Sequence, residues 1–378
     1  SLFSSSSLTA ESSLGSAFFA KSGNLYPKYP DKLPQTAVEV WLFDALATDG
    51  TEAFTMSFLR DSTAVPAGFR VAINASWEDG SNWSRNLVFP VSIITSEGSS
   101  IDQGSIVGVW KMNDDDQNGA SVCFEVNEDL SVSKVSFNVP GVITGTLTHN
   151  SMKYPCLPNT ENEARVGRDL FWMRPIAMAI ADLDVTITTD PSTEPKKLLI
   201  SGDRGGYGGL ERSWESMPWA KAVTDSLFVR AKVGPYVLQV MRLIGRPEHD
   251  YEATASARLY CNGKLVCGPQ RVIEKAEARG TGDTKADHAL IVEKLFDEVG
   301  LPANFRYKNV GYRIEFLSGT KWSFEVRHAR QWWQMPTSKP GPGATGSSAF
   351  VVSAKGGLAG SGDTFEGFGM SGQVEMPE

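Results

Sequence analysis

The sequence predicts an all-β protein built from two β-barrel or β-sandwich domains, with one helix in the second domain. The chain has 378 residues, more than one ordinary β-domain needs. Short runs of alternating apolar and polar residues recur throughout, separated by Gly, Pro, Asn and Asp. Only one stretch, near residue 290, shows helical periodicity. Strands at this spacing are typical of barrels and sandwiches, and not of doubly wound sheets.

Composition shifts suggest where the domains begin and end. Residues 1–34 are rich in serine and end in Pro27, Pro30 and Pro34, which predicts a flexible N-terminal arm. An N-terminal β-domain is expected over 35–220 and a C-terminal β-barrel domain over 221–378.

The first domain opens with a predicted hairpin. Residues 37–45 and 54–59 both alternate, and Asp49-Gly50 between them is a turn signal. Further strands are predicted at Phe69–Ile73, Asn86–Ile94, Ser105–Lys111, Ser121–Val126, Ser131–Val139, Gly141–Thr148, Phe171–Ala181, Leu183–Thr188 and Lys197–Ser201.

A second hairpin opens the C-terminal domain. Residues 226–233 and 236–244 alternate on either side of Gly234-Pro235. Proline has no amide to donate and glycine tolerates positive φ, so this dipeptide predicts a tight reversal. Later strands are expected at Tyr251–Leu259, Leu265–Ile273, Val310–Leu317, Lys321–Arg330, Ser347–Ser353 and Gly369–Val374.

The predicted helix covers 285–299. Thr284 is a capping residue, and Gly300 followed by Pro302 is a stop signal. One face would carry the apolar residues Leu290, Ile291, Leu295, Phe296 and Val299.

Composition and motifs exclude several classes of function. The net charge of −8 argues against nucleic-acid binding, and no apolar run is long enough to span a membrane. The sequence contains no nucleophile elbow, phosphate loop, dinucleotide fingerprint or zinc-ligand spacing. We therefore expect neither metal nor cofactor. A protein lacking these groups still accelerates reactions by holding an apolar substrate in a reactive conformation.

Two sequons and four cysteines bear on the compartment. Asn74 and Asn82 each begin an Asn-x-Ser triplet, which predicts glycosylation. Cys261 and Cys267 flank the Asn262-Gly263 turn, so a local disulfide needs a loop wider than two residues, with Cys123 and Cys156 as the complementary pair. These features favour a secreted or secretory-pathway protein over a cytoplasmic one.

A few polar residues are candidates for a site. Glu211 and Arg212 lie between glycines and Trp214, as either a surface ion pair or pocket residues. Gln239 shares a strand face with apolar neighbours, where it either satisfies a structural hydrogen bond or contacts a ligand. Of the four histidines, only His328 lies on a predicted strand near tryptophans.

Several segments resemble one family. They are Val40-Trp-Leu-Phe-Asp-Ala45 with Asp49-Gly50, Gly208-Gly-Leu-Glu-Arg-Ser-Trp214, Met217-Pro-Trp219 and Gly234-Pro-Tyr-Val-Leu-Gln-Val-Met-Arg242. Together they resemble the fungal lipocalin-like Diels–Alderases, relatives of hydroxyneurosporene synthase-type carotenoid hydratases with an AttH-type fold. Bacterial relatives carry an aromatic-His-Asp-x-Asn-Trp motif, and here Leu210-Glu-Arg-Ser-Trp214 replaces it. That departure favours the pericyclase branch over hydration.

The resemblance implies two lipocalin-like β-domains and a cofactor-independent, stereoselective [4+2] cycloaddition in fungal secondary metabolism. The sequons and cysteines favour the branch that joins a tropolone quinone methide to a humulene-type alkene. An intramolecular decalin-forming reaction, a terpenoid hydratase or dehydratase and a non-catalytic hydrophobic-ligand carrier are the alternatives.

Specific residues receive roles under this resemblance. Trp41, Phe58, Trp214, Tyr236 and Trp332 would form stacking walls around a substrate, with Asp44 and His328 also in contact. Glu211, Arg212 and Gln239 would supply the polar contacts of catalysis. A small hydrophobic polyene, terpenoid or tropolone is the expected substrate.

Overall fold

A computed structural model describes residues 2–4, 18–29, 36–61, 68–97, 104–112, 119–152, 157–201, 205–268, 271–272, 289–303 and 305–378. Almost all of the regular structure in these residues is β, which confirms the predicted fold class. Two four-residue helices occur, α1 (Glu161–Ala164) and α2 (Trp219–Ala222). The chain divides into unit 1, Ser1–Asn162 with Leu170–Pro218, and unit 2, Glu163–Asp169 with Trp219–Glu378.

The sheet of unit 1 is antiparallel throughout. Its strands are β1 (Leu2–Ser4), β2 (Val38–Ala47), β3 (Ala53–Asp61), β4 (Gly68–Ser76), β5 (Asn82–Phe89), β6 (Val91–Glu97), β7 (Ser105–Lys111), β8 (Ser121–Val126), β9 (Val132–Val139), β10 (Ile143–Ser151), β11 (Leu170–Ile187), β12 (Lys196–Ile200) and β13 (Gly206–Glu215). They run in the order β1-β6-β7-β8-β9-β10-β11-β13-β2-β3-β4-β5, and β12 pairs with β11. The predicted hairpin around Asp49-Gly50 is confirmed as β2 and β3.

The core of unit 1 is densely aromatic. Phe58 lies 4.8 Å from Trp110 and 4.9 Å from Phe124, measured between ring centroids, and Trp41 meets Trp110 edge-on at 5.9 Å. Trp41 and Phe58 are fully buried in this cluster. Burying such large rings stabilises the barrel by roughly 1.5–3 kcal/mol each. Trp41 and Phe58 were predicted to line a substrate pocket, but the structure places both side chains in the packed core of unit 1.

Residues 18–29 pack against that core, so the predicted flexible arm is wrong for this segment. Leu25 is part of the hydrophobic cluster, and the Trp41 indole donates a hydrogen bond to its carbonyl at 2.8 Å. The backbone amide of Lys28 donates to the Glu39 carboxylate at 2.5 Å. Serine and proline content misled the prediction, because the contacts that order the segment are long-range.

Unit 2 contains the second sheet. Its strands are β14 (Val223–Val233), β15 (Tyr236–Gly245), β16 (Ala253–Cys261), β17 (Lys264–Cys267), β18 (Arg271–Val272), β19 (Ala289–Leu295), β20 (Gly311–Leu317), β21 (Lys321–Pro336), β22 (Gly346–Leu358) and β23 (Phe365–Glu375). Their order is β17-β16-β15-β14-β23-β22-β21-β20-β19-β18. Val233 pairs with Tyr236 across Gly234, whose φ is +53°, so the predicted Gly-Pro reversal is confirmed.

The predicted helix at 285–299 is wrong where the structure describes it. Residues 285–288 lie outside the described residues, and β19 pairs antiparallel with β20. Leu290 belongs to the core of unit 2, whereas Ile291 packs on the opposite face with Leu317. Phe296 and Val299, expected on a buried helix face, are 62% and 63% exposed. Short apolar runs fit both periodicities, and pairing with a neighbouring strand decided between them.

Other boundaries differ locally. Pro90 divides the predicted strand 86–94 into β5 and β6, since proline cannot donate to a ladder. The two strands predicted at 171–181 and 183–188 form one continuous strand, β11.

The cysteine and sequon predictions have mixed outcomes. Cys261 lies opposite Lys264 in the strand register, across a two-residue turn, so Cys261 and Cys267 do not face each other. Both cysteines are free thiols. Cys123 is also free, and Cys156 lies outside the described residues. Asn74 is half-buried within β4 and its amide donates to Thr55, whereas Asn82 is exposed at the start of β5. Glycosylation at either site remains a prediction.

Candidate active site on the outer face of β13

Strand β13 carries two sets of polar residues on opposite faces. Leu210 pairs with Phe43, and both belong to the hydrophobic core of unit 1. Side chains alternate along a strand, so Arg212 and Trp214 share this core face. Gly209, Glu211, Ser213 and Glu215 share the other, which we call the outer face of β13. Although Glu211 and Arg212 are adjacent in sequence, the side chain of Arg212 lies on the core face and that of Glu211 on the outer face.

Arg212 belongs to a buried network on the core face. Its guanidinium donates to the Glu39 carboxylate at 2.9 Å and to the Asn24 carbonyl at 3.1 Å, and lies 4.1 Å from the centroid of Trp41. Glu39 also accepts from Arg60 at 2.6 Å. Burial opposes ionisation of Glu39, but the charges of Arg60 and Arg212 hold its pKa below the usual value. These contacts make Arg212 a structural residue that fastens residues 24–28 to the barrel.

Trp214 packs beside Arg212 on the core face. Its ring stacks on Phe171 with centroids 5.1 Å apart and planes 6° from parallel. It is buried, and the Arg212 guanidinium lies 5.2 Å from its centroid. Of the residues predicted for the site in unit 1, the structure thus brings Trp41, Arg212 and Trp214 together through structural contacts.

The outer face brings a different group together, which we call the Arg174 cluster: Asp44, Arg174 and Glu211. Arg174 donates from Nη2 to Asp44 Oδ2 at 3.0 Å and from Nη1 to Glu211 Oε2 at 3.3 Å. All three side chains are nearly excluded from solvent. A cation shared by two buried carboxylates is held in a fixed orientation.

Local sequence explains how Arg174 reaches this position. The register of β11 shifts between Met173 and Ile176, so the segment containing Arg174 and Pro175 bulges out of the ladder. Gly209 lies opposite, and a Cβ there would approach Arg174 Nη2 to 2.6 Å and the Ile176 carbonyl to 2.5 Å. Glycine at 209 therefore leaves the space that the guanidinium fills.

The electrostatics of Glu211 favour a carboxyl that retains its proton more readily than usual. Burial raises its pKa most, and the nearby charge of Asp44 adds to this. The Arg174 charge and the Trp172 indole oppose the rise without cancelling it. Arg174 Nε is buried and has no hydrogen-bond partner among the described residues. The cluster thus presents an N–H donor and a carboxyl of raised pKa, which suit an oxygen that gains negative charge during a reaction.

The predicted site residues of unit 2 have separate environments. Tyr236 packs edge-on against Phe324 and Phe365 in the core. His328 stacks on Phe350 with centroids 3.8 Å apart, and burial lowers its pKa to about 4, so it is neutral near pH 7. Gln239 and Trp332 are also buried.

Gln239 occupies the face of its strand opposite the core. It pairs in register with Arg230 on one side and Arg258 on the other, and all three are buried. The predicted alternation of this strand is confirmed, because Leu238 and Val240 belong to the core and Gln239 does not.

Sequence reasoning missed Arg174 and Trp172. Their segment, Trp172-Met-Arg-Pro175, places a proline after an arginine inside an apolar run, and that was the available signal of a bulge. Among the described residues, no group of His, Cys, Asp and Glu is arranged to hold a metal ion. Nor does any helix among them have the length and apolar character to cross a membrane.

Comparisons with known proteins agree on one family. A family model described as Diels-Alderase-like matches residues 1–377. The chain is 47% identical to Diels-Alderase cghA of Chaetomium globosum, over 96% of this chain and 74% of that protein. It is 37% identical to Diels-Alderase gNR600 of a fungal species, over 95% of this chain and 93% of the relative.

Solved structures extend the comparison. The crystal structure of CghA with Sch210972 matches with a TM-score of 0.91 at 47% identity, over 99% of this chain and 98% of that one. Kievitone hydratase from Nectria haematococca matches with a TM-score of 0.52 at 11% identity, covering 94% of this chain and 96% of that one. The second likeness concerns the fold alone.

Proposed function

Because this chain belongs to the Diels-Alderase-like family and is a Diels–Alderase-type cyclase, we propose that the Arg174 cluster activates the dienophile of its [4+2] cycloaddition. In such a reaction two carbon–carbon σ bonds form at the expense of two π bonds, and no proton or electron leaves the substrate. A carbonyl attached to the dienophile draws electron density as the bonds form. Hydrogen bonds to its oxygen therefore stabilise the transition state more than the ground state.

The observation that carries this proposal is the buried, immobilised guanidinium. Asp44 and Glu211 hold Arg174 through its two terminal nitrogens, and Nε remains available as a donor. The carboxyl of Glu211, when protonated, supplies a second donor. One preorganised donor contributes about 3–4 kcal/mol to a developing oxyanion, an upper bound for a carbonyl that gains only partial charge. Orientation of the reacting carbons contributes up to roughly 7–11 kcal/mol.

We further propose that the cycloaddition is intramolecular and acts on a linear polyene. The tropolone hypothesis drew support from the sequons and the cysteines, and Cys123, Cys261 and Cys267 are free, which removes the support from a disulfide among them. CghA was crystallised with Sch210972, and this chain matches 98% of that crystallised chain. We propose that this chain accommodates that compound or a close analogue.

The test is turnover with two substrate sets in parallel. The purified protein is incubated with a linear polyene in which one alkene is conjugated to a carbonyl group. It is incubated separately with a tropolone precursor plus humulenol. One cyclised stereoisomer formed faster than in buffer supports the intramolecular reaction. Turnover of the second set alone would restore the tropolone hypothesis, and a product that has gained water would indicate a hydratase. Unchanged but bound polyene would indicate a carrier.

Matched variants then separate chemistry from fit. Glu211→Gln keeps a donor but removes the ionisable carboxyl, and Gln239→Ala removes an amide from unit 2. If the Arg174 cluster polarises the substrate, Glu211→Ala lowers kcat more than Glu211→Gln does, because Gln keeps a donor, and both variants preserve stereoselectivity. An unchanged kcat in both Glu211→Gln and Glu211→Ala would refute the assignment.

A further inference from the structure

A second polar group lies on the outer face of β13, at Glu215. It is four residues from Glu211, so the two α-carbons are roughly 13 Å apart along the strand. Side-chain alternation puts both on one face, with half-buried Ser213 between them. Glu215 is only 1% exposed.

The side-chain carboxyl of Glu215 has no hydrogen-bond partner among the described residues. Neither of its carboxylate oxygens is bonded, although both are buried. Its strand neighbours in register are Val38 and Leu170, which are apolar. Buried polar side chains in folded proteins are nearly always satisfied, so a carboxyl left without a partner needs an explanation.

The surroundings of Glu215 favour its neutral form. Burial raises its pKa well above the usual value, and the neighbouring charge of Asp61 raises it further. Asp61 is itself paired with Arg70 at 2.7 Å. A neutral carboxyl both donates and accepts a hydrogen bond. Its complement is a neutral group that does the same, such as an amide or a hydroxyl, whereas a carboxylate would be repelled by Asp61.

We propose that Glu215 is a specificity-determining residue that binds a neutral amide or hydroxyl group of the substrate, on the strand face that also carries Glu211 of the Arg174 cluster. This inference rests on the function proposed above. The substrate is then held at two points on one sheet face, and the reacting carbons lie between them. Two fixed ends reduce the conformations open to a flexible polyene, which is the ordering that a cycloaddition requires.

The experiment compares Glu215→Leu and Glu215→Gln with the wild type, using Sch210972 as the binding probe. Gln is neutral and both donates and accepts, so Glu215→Gln should bind within about threefold of wild type. Leu does neither, and Glu215→Leu should bind about tenfold more weakly or worse, the factor expected for one lost hydrogen bond. Glu125→Leu, at an exposed position of β8, is the matched control and should bind as the wild type does.

The melting temperature of the ligand-free protein tests the role of Glu215 without relying on Sch210972. If Glu215 awaits a ligand and has no structural partner, Glu215→Leu raises the melting temperature of the free protein or leaves it unchanged. A lower melting temperature for Glu215→Leu, or equal binding of Sch210972 by Glu215→Leu and wild type, overturns the inference. Failure of the wild type to bind Sch210972 counts against the substrate class of the proposed function, and the ligand-free comparison then decides the role of Glu215.

Discussion

Replacing Arg174 with methionine tests both the stability and the chemistry of the Arg174 cluster. The substitution keeps most of the side-chain volume and leaves Asp44 and Glu211 buried without their shared cation. Unit charges about 4 Å apart interact by roughly 4 kcal/mol at an effective dielectric constant of 20. Breaking a buried pair by removing one partner costs about 3–5 kcal/mol. We therefore expect a loss of about 3 kcal/mol near pH 8, and a fall in melting temperature of roughly 4 °C when the whole chain unfolds as one unit.

The loss should shrink in acid. The folded-state pKa of Glu211 is already raised, and the Arg174 charge is the largest contribution that opposes this rise. Without Arg174 the folded-state pKa rises further, so the folded variant binds more protons than its unfolded chain above pH 4.5. Stability then declines as the pH rises through that window, because the extra proton is lost. Thermal unfolding at pH 5 and pH 8 should show the smaller difference from wild type at pH 5.

Activity gives the second readout for Arg174→Met. Removal of a preorganised donor should lower kcat by roughly a hundredfold. Stereoselectivity should persist, since the shape of the site sets it. Arg313→Met is the control, because Arg313 is partly exposed and its pair with Glu293 contributes at most about 1 kcal/mol. A kcat within threefold of wild type, or an equal stability loss at both pH values, would refute this account of the cluster.

Three further changes have distinct expected outcomes. Gly209→Ala should lower kcat and melting temperature together, since its Cβ meets the Ile176 carbonyl at 2.5 Å; Gly268→Ala, with nothing nearer than 3.8 Å, is the control and should change neither. Arg212→Met should cost about 3–5 kcal/mol of unfolding free energy in urea titrations, because Glu39 then stays buried beside a single arginine; a loss under 1 kcal/mol would contradict this. Glu375 has its pKa raised to about 6 by burial, so its contribution to stability declines as the pH rises from 4.5 to 6. Glu375→Gln should flatten that part of the stability–pH curve, and an unchanged slope would show that Glu375 does not titrate there.

Local signals predicted the turns of this protein well. The Gly234-Pro235 reversal and the Asp49-Gly50 hairpin occur where the sequence placed them, because positive φ and the missing proline amide act within four residues. The predicted helix failed because seven residues from Ala289 to Leu295 fit either periodicity. The segment forms a strand because it pairs with β20, which begins sixteen residues further along the chain.

The polar residues were harder to place, and Glu211 and Arg212 show why. Their proximity in sequence suggested one site or one ion pair. Neighbours on a strand point to opposite faces, so they cannot pair with each other. The partner of Glu211 is Arg174, 37 residues earlier, and the partner of Arg212 is Glu39, 173 residues earlier. No spacing rule connects positions so far apart without the register of β2, β11 and β13.

That register also separates stability from chemistry within a single strand. On the core face, the guanidinium of Arg212 donates hydrogen bonds to Glu39 and to backbone carbonyls. These bonds give Arg212 a structural role. On the outer face, Arg174 retains an undonated Nε and Glu215 two unbonded oxygens. Among the described residues, Arg212 of β13 is thus fully bonded on the core face, whereas Glu215 of β13 and the neighbouring Arg174 of β11 keep unbonded buried atoms on the outer face. Under the proposed function, β13 anchors the barrel through Arg212 and presents Glu211 and Glu215 to the substrate, beside Arg174 of β11.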